Sequence, residues 1–385
     1  VRGSSRGAVG YALGALAIAA VWLAAQAATV HGGRLSGLFW TGAASPLPPG
    51  DAISDTARVS DPRGYDGQYY RIIAHDPFAA GYQQFVDNPS LRWRRIGVPG
   101  LAFALALGRN SLVEPAYVAV HLAFVFLGVF WLAELAGRYG RHNAWGLAFL
   151  VVPAVLISLE RMTIDLPLAA LTVGFALYAS RAPSWRLWAV LAAAPLVRET
   201  GILLVVAWCV YALAKRERMA AAMGAVCAIP AAVWWVYIAA VTPADATPWL
   251  SAYPFSGLIR CTLAAFAVPA GKLGLLIAAL LEDGALAGVW LALVLAFYGA
   301  FKRRFGQVEI AAAVIAAFAT TLGKLDIWDS AYAAGRTLSP LLILLGIISL
   351  RERRPVYAAP LALVLPRIAF QYLAVIKVML AGGRL

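Results

Sequence analysis

The stretch Asp61-Pro62-Arg63-Gly64-Tyr65-Asp66-Gly67-Gln68-Tyr69-Tyr70-Arg71 gathers carboxylates, an amide, three tyrosines and two arginines within eleven residues. Gly64 and Gly67 flank Tyr65-Asp66 and permit a tight turn that presents the acid. From Gln68 the pattern becomes helical, with Tyr69, Ile72 and Ile73 at helical spacing and His75-Asp76-Pro77 as its stop. Asp66 stands where an N-cap would. Capping uses only part of a carboxylate's acceptor capacity, so the same acid can take a proton as a general base. A cap plus an interfacial aromatic belt explains Asp66 and the tyrosines, but not Gln68, Arg71 and His75. The reading adopted is Asp66 as base, Gln68, Tyr69 and Tyr70 as contacts to substrate, and Arg71 as a phosphate ligand.

Other charged groups punctuate apolar sequence. Glu160-Arg161-Met162-Thr163-Ile164-Asp165 joins two apolar segments. Asp165 is placed equally well to cap the next helix through its dipole or to face a site, with Arg161 beside it. Arg198-Glu199 interrupts the otherwise apolar 186–214. Ionisable residues at membrane depth cost roughly 2.5–3.5 kcal/mol each and persist when paired or lining a polar cavity. Neighbours on a helix point about 100° apart, so Arg198 and Glu199 each need a separate partner. Tyr332 and Arg336 share one helical face near Lys324, Asp326 and Asp329. Arg198 and Arg336 join Arg71 as phosphate ligands, because a guanidinium grips phosphate bidentately. Arg92, Trp93, Arg94 and Arg95 read best as interfacial anchors. The four histidines are scattered, and no divalent metal is expected even though Asp61, Asp66 and Asp76 could offer oxygens. No Walker A loop or dinucleotide fingerprint is present, so no cofactor is expected.

What must hold these residues is a membrane. Of 385 residues, 62% are hydrophobic and only 13% charged, about half the charged share of a soluble domain. The net charge of +13 sits in short clusters between apolar segments, which argues against a nucleic-acid partner. Cys209, Cys227 and Cys261 have neither zinc spacing nor a disulfide framework. Taking about 20 apolar residues per crossing, spans fall near 8–30, 113–136, 143–159, 165–180, 186–197, 200–214, 219–241, 284–301, 308–322, 338–350 and 356–380. The first reads as an uncleaved span, its length outweighing the signal-peptidase-like Ala25-Gln26-Ala27. The pair within 186–214 reads either as two spans or as a half-buried hairpin, and 96–108 and 258–281 as interfacial or re-entrant helices.

A cytoplasmic N-terminus puts Arg2/Arg6, Arg138/Arg141, Arg181/Arg186, Lys215/Arg216/Arg218, Lys302/Arg303/Arg304 and Arg351/Arg353/Arg354 inside, as the positive-inside rule requires. Only Glu134, Glu217, Glu309 and Glu352 of the 19 acids then lie near the inner face, which leaves the outer segments 31–112, 242–283 and 323–337 to do any chemistry. No internal repeat supports a paired-repeat transporter.

Tyr65-Asp66-Gly67-Gln68-Tyr69-Tyr70-Arg71, Asp76-Pro77-Phe78 and Arg94-Arg95-Ile96-Gly97-Val98-Pro99 resemble the first outer loop of bacterial GT-C-type glycosyltransferase-like proteins. The nearest likeness is to polytopic proteins assigned to cell-surface glycopolymer formation, themselves distantly similar to lipid-linked mannosyltransferases. It continues more thinly through Arg198-Glu199-Thr200-Gly201 and Tyr332-Ala333-Ala334-Gly335-Arg336. The resemblance implies one GT-C-like domain over residues 1–385, all-α with about eleven transmembrane helices, in the bacterial inner membrane with its site facing outward. It implies transfer of a sugar from a polyprenyl-phosphate donor to an envelope glycan, lipid or protein, with Asp66 activating the acceptor. Gly67 stands where the family usually has a second acid. A single base and no covalent intermediate predict inversion at the anomeric carbon. The rival expectations are a flippase for a lipid-linked glycan, which needs polar groups inside several spans, and an inactive scaffold of a glycopolymer complex.

Overall fold

The structure, a computed structural model, describes residues 5–49, 53, 55–244, 249–264, 273–302 and 306–381. Arg2, Arg303 and Arg304, used above to orient the chain, lie outside them. The described chain is helical almost throughout. Its helices are α1 (Ser5–Thr29), α2 (Gly67–His75), α3 (Pro89–Arg94), α4 (Gly97–Leu105), α5 (Asn110–Arg138), α6 (Pro153–Arg161), α7 (Asp165–Ala179) and α8 (Trp185–Val197). There follow α9 (Ile202–Ala214), α10 (Arg218–Val226), α11 (Ile229–Val241), α12 (Ser256–Ala264), α13 (Leu273–Phe301), α14 (Gln307–Thr320), α15 (Ala331–Glu352) and α16 (Ala359–Leu380). Two-residue strands, Thr41–Gly42 and Arg58–Val59, pair in parallel in the loop after α1.

Among the described residues, six stretches are long and apolar enough to cross a bilayer: α1, α5, α10 with α11, α13, α15 and α16. A 3-10 segment, Asn143–Val151, and α6 pass the same test together but bend by 58° at Val152. Pro153 opens α6, where its missing N–H costs nothing. The expected spans at 165–180, 186–197, 200–214 and 308–322 are apolar helices of only 13 to 15 residues, or about 20 Å at about 1.5 Å per residue. These four fall short of a hydrocarbon core of about 30 Å.

One expectation is corrected. Residues 273–281, expected within an interfacial or re-entrant helix over 258–281, belong instead to α13, which runs unbroken from Leu273 through Glu282 and Asp283; 258–264 lie in α12, and 265–272 fall outside the described residues. Glu282 is tolerated inside the helix because Arg367 of α16 meets it at 2.7 Å and its second oxygen accepts the Ala331 N–H that opens α15.

The core is organised around α7, which buries every residue but Tyr178. An all-round apolar helix is stable only when surrounded, and α5, α6, α8 and α15 surround this one. The two ends of α7 differ in kind. At its C-terminal end Arg138 donates to the Leu177 carbonyl at 2.9 Å. At its N-terminal end, about 22 Å away, Asp165 meets Arg198 and Arg336.

Candidate functional site

Three segments far apart in sequence deliver the charges. The first is α2 and the turn before it. Gly64 adopts a left-handed φ of 64°, and a Cβ there would lie 2.4 Å from Trp40 O. Tyr65 N donates to Trp40 O at 3.0 Å, which sets the turn that turns Asp66 inward. Gly67 packs so closely on the end of α6 that a Cβ would approach Arg161 O to 2.1 Å. No side chain fits at this position unless the backbone moves, which is the steric reason for glycine here.

Asp66 occupies the N-cap position of α2, but its side chain makes no capping bond. The capping expectation is corrected: both carboxylate oxygens go to arginines. Arg92 Nη2 donates to Oδ1 at 2.9 Å, and Arg336 Nη1 lies 2.8 Å from Oδ2. Burial alone would raise the Asp66 pKa; the Arg92 and Arg336 guanidiniums outweigh it and hold the carboxyl well below the usual carboxylate range.

The second segment is α3 and the residues after it. Asn88, at a left-handed φ of 46°, caps α3 by accepting from Leu91 N. Arg92 also grips Asp87 through two bonds of 2.8 and 3.0 Å. Arg95 forms a bidentate pair with Glu199, both bonds 2.7 Å. Both guanidiniums donate to the buried Tyr70 hydroxyl, at 3.2 and 2.7 Å. Trp93 is fully buried and donates to Asp76 O at 2.8 Å. The anchoring assignment for 92–95 is thereby corrected: Arg92, Arg94 and Arg95 face a cavity, and Trp93 is core.

The third segment is the bundle rim. The turn between α6 and α7 is fixed from below, by Tyr117 donating to Met162 O, by His121 Nε2 at 2.7 Å from Thr163 O, and by Ser158 Oγ accepting Leu166 N. Asp165 pairs with Arg198, and Arg336 Nε stands 3.5 Å from its second oxygen. Arg198 and Glu199 do find separate partners, although the backbone at Arg198 is extended rather than helical. Arg161 stacks on Trp40, Tyr65 and Tyr332 with centroid distances of 4.3, 4.4 and 5.0 Å, while Tyr332 donates to Glu160 at 2.8 Å.

These groups line a cavity of about 1260 Å³, with Asp66, Arg161, Arg198, Glu199, Tyr332 and Arg336 on its wall. Asp165 lies behind the wall, 4% exposed, and acts on the cavity through the two arginines.

Other sequence assignments are displaced. Arg71 is buried away from the cavity, tied to Glu114 at 2.5 Å and to Thr56 at 2.6 Å. Gln68 braces the turn, donating to Arg63 O and accepting Gly42 N. Tyr69 supports Arg92 with its ring, 4.9 Å from the guanidinium. Helical geometry explains all three, since residues following the inward-turned Asp66 rotate to other faces of α2.

Sequence reasoning missed Trp40, Tyr65, Asp87, Arg94, Arg95 and Arg367. Arg367 could have been found, since an arginine inside an apolar span signals a polar cavity. Trp40 and Tyr65 gave no such signal. Several cavity guanidiniums keep N–H groups without a protein acceptor, namely the Nε of Arg94, Arg161 and Arg198. Such donors suit an anionic or hydroxyl-rich ligand. Among the described residues no cluster of histidine, cysteine and carboxylate side chains has the arrangement of a metal site.

No protein-family model matches the chain, and neither a curated protein nor a solved structure matches it.

Proposed function

We propose that the protein is a GT-C-like membrane glycosyltransferase that moves a sugar from a polyprenyl phosphate to an envelope acceptor. In this reading about eleven segments cross the inner membrane, the N-terminus is cytoplasmic and the cavity opens outward. One observation carries the proposal: Asp66 lines a large cavity with arginines on both of its oxygens. An acid beside cations at one wall is what displacement of a phosphate from an anomeric carbon needs.

The clamp sets the order of events. A carboxylate held by two guanidiniums is a poor base, so Asp66 gains basicity when a donor phosphate draws Arg336 or Arg92 toward itself. Asp66 then takes the proton of the acceptor hydroxyl as that oxygen attacks the anomeric carbon. The anomeric carbon–oxygen bond to phosphate breaks, the electron pair leaves with the prenyl phosphate, and configuration inverts. Arginines at the wall stabilise the departing charge. Arg161 and its aromatic neighbours offer a flat, partly apolar surface suited to a sugar ring.

The clamp also favours a second reading, a binding protein or scaffold in a glycopolymer complex, because an acid that is never released does no chemistry. Purified protein in lipid nanodiscs, given a panel of prenyl-phosphate sugars, separates the two. The expected result is turnover with at least one sugar, an inverted product linkage by NMR, and a loss of roughly 10²–10⁴-fold in Asp66→Asn, the usual worth of a general base. Binding without turnover across the panel establishes the scaffold instead, and undiminished turnover in Asp66→Asn removes the base assignment.

A further inference from the structure

The charges around the cavity almost cancel, residue by residue. Seven of its eight cationic side chains have a carboxylate within reach. Arg92 has Asp66 and Asp87, Arg95 has Glu199, and Arg161 has Glu160. Arg198 has Asp165, Arg336 shares Asp66 and Asp165, Arg367 has Glu282, and Lys324 has Asp326. The acids in these pairs also number seven. Arg94 alone, among the described residues, lines the cavity with no carboxylate within 4 Å. Its Nε–H is shielded from solvent and meets no acceptor.

A cation that lines a cavity without a counter-charge is costly unless an anion arrives to share its field. An anion entering any of the seven pairs must compete with a carboxylate already in place, whereas at Arg94 it competes only with water. Arg94 lies on α3, the six-residue helix that also carries Arg92, one of the two clamps on Asp66. Both arginines line the cavity, so a phosphate on Arg94 shares that space with the group it must draw away.

We propose that Arg94 is the anchor for the donor's phosphate, and that the cavity is balanced for a ligand bearing one negative charge. A phosphodiester, as in a prenyl-phosphoryl sugar, carries one; a diphosphate-linked sugar carries a second that no unpaired cation meets. The inference rests on the glycosyltransferase reading for the identity of the ligand, but not for the anion anchor itself.

The test measures binding to full-length protein in nanodiscs, for the wild type, Arg94→Gln and Arg94→Lys. Three probes are used: a prenyl-phosphoryl sugar, the matching prenyl-diphosphoryl sugar, and a long-chain dialkyl phosphate without sugar. The wild type is expected to prefer the phosphoryl over the diphosphoryl sugar by at least about tenfold, the size of one unmet charge contact of about 1.4 kcal/mol. Arg94→Gln weakens both singly charged probes at least about tenfold and flattens their salt dependence. Arg94→Lys restores most of the loss. Unchanged binding in Arg94→Gln, or a wild-type preference for the diphosphoryl sugar, overturns the proposal and leaves the glycosyltransferase reading standing. Arg94-dependent binding of the dialkyl phosphate, with the sugar lipids ignored, upholds the anchor and overturns that reading. If the wild type binds none of the three, both fall.

Discussion

Asp66 and Arg71 sit five residues apart on the same short element, yet their ion pairs do opposite things. Arg71 is 3% exposed at its side chain and is bound by one acid, Glu114, with Thr56 completing its contacts. Asp66 is one-fifth exposed, faces a large cavity, and is shared between two arginines that have other acids to turn to. A pair in which each charge has a single opposite partner is a fastener, even though Glu114 is itself one-fifth exposed. An open network in which each member has an alternative can be rearranged by an incoming anion without leaving a bare charge. Residue type does not distinguish the two; the count of partners and access to the cavity do.

The comparison breaks most visibly at Arg71. Arg71→Met strands a partly buried carboxylate and is expected to cost about 3 kcal/mol, read by denaturant or thermal unfolding in detergent, with prenyl-phosphate binding by the surviving folded fraction unchanged. Arg71→Met with Glu114→Leu regains most of that stability, since a buried pair replaced by apolar groups is often neutral. Lost binding at intact stability in Arg71→Met would erase the distinction between fastener and network.

Gly67→Ala sharpens the same contrast from the other side. Its added methyl would press on the Arg161 carbonyl, so an overpacking cost of about 1–3 kcal/mol is expected. On the proposed glycosyltransferase reading, transfer should fall further than that stability loss explains, because Asp66 moves with the displaced backbone. A tolerated alanine with full activity would show the turn to be looser than its contacts suggest.

The smallest effect concerns a buried group outside both networks. Burial holds the His31 pKa down at about 4, below its ordinary 6.5. The unfolded chain takes up a proton near pH 6.5 and the folded chain does not until about pH 4, so stability declines as pH falls through that window. The slope is at most about 1.4 kcal/mol per pH unit, and His31→Asn should flatten it in thermal midpoints measured between about pH 7 and pH 5.

Much of the architecture was legible because membrane helices announce themselves through apolar length: α1, α5, α10 with α11, and α16 fall where hydropathy put them, while α15 starts at Ala331, seven residues ahead of the expected 338. The first part of α13 was not legible, since 258–281 was set apart as interfacial, and what carries the helix past Glu282 is a partner, Arg367, 85 residues later. The same limit governs the cavity. Asp66, Arg198 and Arg336 stood out as charges with no local partner, and that oddity was visible in one dimension. Which way Arg71 or Gln68 turns depends on how α2 rotates against the loop before it, and that is decided by the Gly67 contact with a carbonyl 94 residues away. The unpaired state of Arg94 was also invisible, because pairing is a property of the whole assembly.

The complete enclosure of α7 has a consequence for how this protein tolerates change. A helix facing lipid accepts one oily residue for another, since the solvent around it is fluid; α11, with only Ala231 and Ile238 buried, has that freedom. α7 has no such side, so its sequence is constrained all the way round, as in the interior of a water-soluble enzyme. Drift along the chain should therefore be slowest in this short post and its polar tip, a signature to seek when related sequences are compared.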